Sequence, residues 1–92
     1  MNNIDWSQMF TVEMKAAQAA AEVLAHAQVE ALRLRKLADD AIAPLQDAVD
    51  LDEATDTEAS LLKEWKRFRV ALNRLPEQED YPAHIDWPAL PA

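Results

Sequence analysis

Glycine and cysteine are both absent from this chain of 92 residues. Without cysteine there is no disulfide framework and no thiolate metal site, and a reducing compartment is permitted. Without glycine, phosphate-cradling loops, nucleophile elbows and tight type I′ or II′ hairpin turns lose the residue their geometry depends on. Sheets and nucleotide sites are therefore not expected. Basic residues are scarce, 9 Lys and Arg against 17 Asp and Glu for a formal charge of −8. Affinity for nucleic acid comes mainly from Lys and Arg releasing counterions at phosphates, so this balance argues against such a partner. No apolar run approaches the roughly 18 residues of a spanning helix, and the opening "MNNIDWSQMF" has no basic region followed by an apolar stretch. Neither a membrane segment nor a signal peptide is expected. The length corresponds to one domain or less, too small for a large private core.

What is abundant is alanine, concentrated before residue 45, and alanine is the strongest helix former. Residues 1 to 10 read as an irregular lead-in with Trp6 and Phe10 as anchors, and Thr11 as the cap of a first helix. From Thr11 to about Ala43 nothing breaks that helix, which would be near 50 Å long. Ala17, Ala20, Leu24, Ala27, Ala31, Leu34, Ala38 and Ala41 recur at spacings of three and four, the pattern of an Ala-rich coiled-coil seam. Leu24, Ala27, Ala31, Leu34, Ala38 and Ala41 are its candidate self-association residues. Pro44 removes a backbone donor and collides with the preceding turn, so a kink or stop is expected near Ala43. The stretch "DAVDLDEATDTEAS" then carries six acids from Asp47 to Glu58 with no base among them and reads as a solvated connector. A calcium loop started at Asp50 would place Thr55 where glycine is needed and Leu61 where a carboxylate is needed, which argues against calcium.

A second helix is expected from Asp56 or Thr57, either able to cap it, to Leu75, where Pro76 sets the boundary. Leu61, Trp65, Phe68, Leu72 and Leu75 fall on one face, with Leu62 at its edge, and Lys63, Lys66, Arg67 and Arg74 lie opposite. Such a helix cannot stand alone, so its stripe packs on the Ala-rich helix or faces a partner. Arg69 projects between Leu62 and Trp65, placed either for an internal ion pair with Asp86 or for a partner contact. The remaining "PEQEDYPAHIDWPALPA" holds four of the five prolines and should be extended or polyproline-like. The expected architecture is all-α: a long Ala-rich helix, an acidic connector and a shorter amphipathic helix, as a helical hairpin or coiled coil, with an extended Pro-rich tail. The chain divides accordingly into two segments, residues 1–54 and 55–92.

Catalysis finds little support. His26 and His84 have no metal-ligand spacing or nucleophile context, and Asp39 and Asp40 point about 100° apart on a helix rather than converging. No metal, cofactor or enzyme activity is expected.

The run "LLKEWKRFRVALNRL", followed after a Pro-containing link by "IDWPALP", resembles the C-terminal segment of phage tail fibre assembly proteins. The positions that carry the resemblance are Trp65, Phe68, Arg69, Leu72, Asn73 and Arg74, then Ile85, Asp86, Trp87 and Pro88. The opening "IDWSQMFTVEMKAAQAAAE" is similar to a stretch found in some relatives. The resemblance implies a phage or prophage chaperone that helps a trimeric tail fibre protein fold, trimerise or attach, in the host bacterial cytoplasm or retained on the virion. Recognition would then centre on Trp65, Phe68, Arg69, Leu72 and Asn73 with Ile85, Asp86, Trp87 and Pro88. The rival expectation is a coiled-coil structural or adaptor module, a homo-oligomer through the long helix.

Overall fold

The structure, a computed structural model, describes residues 12–91. The lead-in with Trp6 and Phe10 and the cap at Thr11 lie outside them. Among the described residues the architecture is all-helical: α1 (Val12–Asp50), α2 (Asp56–Asn73) and a 3-10 turn (Leu75–Glu77), followed by a non-helical tail. The first helix dominates, its 39 residues spanning about 58 Å.

Pro44 does not end α1, which runs through it to Asp50. Both Asp40, whose carbonyl loses its donor, and Pro44 itself are exposed, so water can serve the carbonyl and the ring meets no packed neighbour. Beyond the proline, Leu45 and Ala48 are half-buried, and this packing holds the extra turns in helical form. The connector is accordingly only Leu51–Thr55.

That connector is closed by hydrogen bonds at both ends. At the end of α1, the Asp52 amide donates to the Val49 carbonyl at 3.0 Å and the Glu53 amide to the Ala48 carbonyl at 2.8 Å, the paired bonds of a Schellman motif. The motif needs a left-handed residue, and in a chain without glycine Asp52 takes it at φ 59°. Asp52→Gly should therefore raise stability by about 1 kcal/mol, read as a higher denaturant midpoint with an unchanged slope; an unchanged or lower midpoint would contradict it. At the start of α2 the cap is Thr55, one and two residues before the expected Asp56 and Thr57. Its hydroxyl accepts from the Glu58 amide at 3.1 Å, while its own amide donates to the Glu58 carboxylate at 3.0 Å, a capping box.

The helices run antiparallel. Arg69 Nη1 lies 3.1 Å from Asp39 Oδ1, and Arg35 Nη1 donates to Asn73 Oδ1 at 2.5 Å, so four residues back along α1 matches four residues forward along α2. Two further ion pairs stay on the surface of α1, Arg33–Glu30 at 2.6 Å and Lys36–Asp40 at 3.2 Å. Hydrogen bonding from Arg33 holds the Glu30 carboxyl below its ordinary range, but so exposed a pair adds little stability.

The core is Leu34, Ala38, Phe68, Leu72 and Leu75, with Ala31, Trp65, Tyr81, Ile85 and Trp87 packed against it. Ala38 is fully covered, 0% exposed; a small side chain there lets the helices approach closely. Ala27, Ile42 and Leu62 are buried as well. The Ala-rich seam from Ala27 to Ala38 thus meets α2 and the tail of its own chain, whereas every residue from 12 to 26 is exposed. Those residues form an arm of about 22 Å.

Candidate partner-binding surface

The stripe on α2 faces inward, shared between α1 and the tail. Arg69 and Asn73 mark the side turned to α1, and the same line passes through Trp65 and Leu62, four and seven residues before Arg69. This is why Leu62, expected at the edge of the stripe, is buried, while Leu61, expected within it, is only half-buried. Phe68, 3% exposed, lies against Trp65 edge to face, with ring centres 5.6 Å apart and planes at 79°.

The second helix ends at Asn73 rather than Leu75, because Pro76 sits inside a 3-10 turn in which Glu77 and Gln78 donate to the Arg74 and Leu75 carbonyls at 2.9 and 3.0 Å. The tail is not a continuous extended segment. It turns over residues 79–83 and has no regular structure from Ile85 on. Gln78 fixes the return: its Nε2 donates to the Asp86 carbonyl at 2.8 Å, and its Oε1 accepts from the Asp86 amide at 2.9 Å. Ile85 and Trp87, flanking that clamp, reach the core. They line a shallow groove with Val23, His26 and Ala27 of α1, while Pro88 to Pro91 border a second groove against Glu64, Arg67, Phe68 and Ala71 of α2. The tail therefore crosses the hairpin, and Trp87 stands at the crossing.

The residues singled out in the sequence separate into two groups. Phe68 and Leu72 are buried in the chain's own core. Trp65, Arg69, Ile85, Trp87 and Pro88 are half-buried, and Asn73 and Asp86 are exposed. Arg69 pairs with Asp39, not with Asp86, which the tail directs elsewhere by binding its backbone to Gln78. Of the seam residues, Ala27, Leu34 and Ala38 are buried, Ala31 and Ala41 half-buried, and Leu24 is 36% exposed. Sequence reasoning missed Gln78, whose role depends on a chain reversal with no local signature. Gln78→Ala should free the tail: two hydrogen bonds worth about 1 kcal/mol each are lost, amide exchange at Asp86 should accelerate, and α1 should keep its protection. Unchanged exchange at Asp86 would show that packing alone holds the tail.

Among the described residues, no group of His, Asp and Glu side chains is placed to hold a metal ion, and no helix is long and apolar enough to cross a membrane. The arrangement offers half-buried indoles, a guanidinium and a docked tail, groups suited to gripping another chain.

Residues 3–92 match the profile of the family described as Caudovirales tail fibre assembly protein, lambda gpK. Similar proteins include the prophage tail fiber assembly protein homolog TfaR of Escherichia coli K12, 52% identical over 58 residues, and the tail fiber assembly protein of Escherichia phage lambda, 50% identical over 58 residues. Each of these two alignments covers 63% of this chain and 29% of the relative. A probable tail fiber assembly protein of Acyrthosiphon pisum secondary endosymbiont phage 1 is 43% identical over 70 residues, 76% of this chain and 44% of that protein. The chain thus spans less than half the length of these relatives. No solved structure matches it significantly.

Proposed function

The chain belongs to the tail fibre assembly protein family of tailed phages, and on that premise we propose that it is a chaperone that binds a tail fibre protein and assists its folding, trimerisation or attachment without catalysis. What supports this reading is that three of the family-like residues, Trp65, Ile85 and Trp87, pack against one core where the tail crosses the hairpin and stay only half-buried there. Binding energy alone can protect a folding intermediate, since a ligand that prefers one state shifts the balance toward it. The partner would be a fibre whose apolar or edge surfaces aggregate before the trimer closes. Phe68 and Leu72 support that surface from beneath, holding the two indoles in place.

The test is co-expression with the adjacent tail fibre gene, scoring soluble trimeric fibre and co-purification. Soluble trimer that depends on this chain supports the proposal. Fibre that folds equally well without it, with nothing co-purifying, overturns it.

The exposed arm supports a second reading, self-association of α1 in a virion or tail-like particle. Val12, Val23 and Leu24 are 84%, 41% and 36% exposed, and the arm continues the seam that the hairpin uses further along. A concentration-dependent dimer without any fibre, dissociated by substitution at Leu24, would favour it. Leu34 does not serve for this test, since it lies in the core.

A further inference from the structure

Nine side chains of this chain are basic, and their placement is uneven. On α1 and the inner side of α2, Arg33, Lys36 and Arg69 each form an ion pair and Arg35 donates to Asn73, while Lys15 stands alone on the exposed start of α1 without an ion pair among the described residues. The four cations on the outer face of α2, Lys63, Lys66, Arg67 and Arg74, are all exposed, and among the described residues none of them forms an ion pair. The chain has acids to spare, 17 in all, and still leaves this face unneutralised. Lys63 lies three and four residues before Lys66 and Arg67, spacings at which like charges repel on a helix.

The face also has apolar surface to bury. Val70, 44% exposed, sits among Lys66, Arg67 and Arg74 in a shallow groove that Ala71 and Gln78 complete. That groove shares Arg67 and Ala71 with the neighbouring one along the tail, where Leu90 is 52% exposed. The result is a trough with an apolar floor from Val70 to Leu90, walled by Lys66, Arg67 and Arg74 at one end and by Arg67 and the single acid Glu64 at the other. Antiparallel pairing of two such faces that sets Asp56 against Arg74 and Glu64 against Lys66 also sets Lys63 against Arg67, so a second copy would neutralise the face only in part.

We propose that this outer face of α2 docks an acidic segment of the tail fibre protein, with carboxylates meeting Lys63, Lys66, Arg67 and Arg74 and an apolar side chain seated on Val70 and Leu90. The proposal rests on the fibre-binding function proposed for the chain and adds to it a second contact, on the side away from α1. Oppositely charged surfaces steer encounter and fix register, whereas the indoles at the tail crossing supply apolar contact.

The test uses the full chain co-expressed with the adjacent tail fibre gene. Lys66→Glu with Arg74→Glu reverses two exposed charges outside the core; Lys15→Glu with Arg33→Glu, on α1, makes the same change in net charge elsewhere. Melting curves establish that both variants fold. Fibre capture should fall about tenfold or more for the α2 variant, and much less for the α1 control, with the wild-type complex weakening as salt rises. Wild-type capture of fibre with undiminished capture by the α2 variant would overturn the acidic docking face and leave the chaperone reading standing. Failure of the wild-type chain to capture fibre would overturn both. Two further outcomes would also overturn the proposal: an oligomer of the chain alone that the α2 reversal disperses, which assigns the face to a second copy, and reversal-sensitive retention of a labelled oligonucleotide, which assigns it to nucleic acid.

Discussion

Phe68→Ala is expected to lower the melting temperature by at least about 12 °C. The ring is 3% exposed and serves two contacts at once, the α1–α2 interface and the underside of the tail. Truncating a buried Phe costs about 3–5 kcal/mol, and in a domain of this size each kcal/mol moves the midpoint by about 4–8 °C. Against a total stability of about 0.05–0.15 kcal/mol per residue, that loss is a large share. Leu61→Ala is the comparison: Leu61 projects onto the same stripe, but is only half-buried and should shift the midpoint far less. Equal effects of the two substitutions would mean that the stripe is buried evenly, against the packing of α2 on α1.

Trp87→Ala is expected to reduce capture of co-expressed tail fibre about thirtyfold while the chain stays helical by circular dichroism. The magnitude corresponds to an interface anchor worth about 2 kcal/mol. Because Trp87 also packs on the core, a loss of capture has two possible origins, direct contact or a loosened tail. Gln78→Ala separates them, since it opens the clamp on Asp86 and leaves the indole intact. A direct contact predicts that Trp87→Ala harms capture far more than Gln78→Ala does. Equal losses would make the indole a support for the tail rather than a contact, and wild-type capture by Trp87→Ala would remove this residue from the recognition surface.

Helix content is legible in the sequence because it rests on local terms: alanine-rich propensity, a period of three to four, and a proline after Leu75. The hairpin is legible as one of two options, since α2 carries a stripe that has to be covered. What escapes depends on tertiary partners. Pro44 reads as a kink or a stop because its local cost is large, yet the helix does not stop there, since exposure on one side and the packing of Leu45 and Ala48 on the other outweigh that cost. The connector reads as long because its acids look solvated, although several of them sit on helical turns. Arg69 is recognisable as a planar donor awaiting a carboxylate, but choosing Asp39 over Asp86 requires the register of the two helices. The tail reads as extended because it is rich in proline; its reversal is set by Gln78, eight positions from the backbone it holds.

The double-capped connector between Asp50 and Asp56 has a consequence for how the chain acquires its shape. Pairs across the hairpin grow more distant in sequence with each turn away from it, from 30 positions for Asp39 and Arg69 to 38 for Arg35 and Asn73. Loop-closure entropy rises with that separation, so contacts nearest the connector form at least cost and each completed turn shortens the effective loop for the next. Zippering should therefore start at the Schellman and capping-box bonds and run toward Leu34 and Leu75. The tail has to wait, because Trp87 and Ile85 need a finished hairpin to settle on. Its docking should then be the last event, which would make the surface crossed by Trp87 a readout of whether the hairpin beneath it is complete.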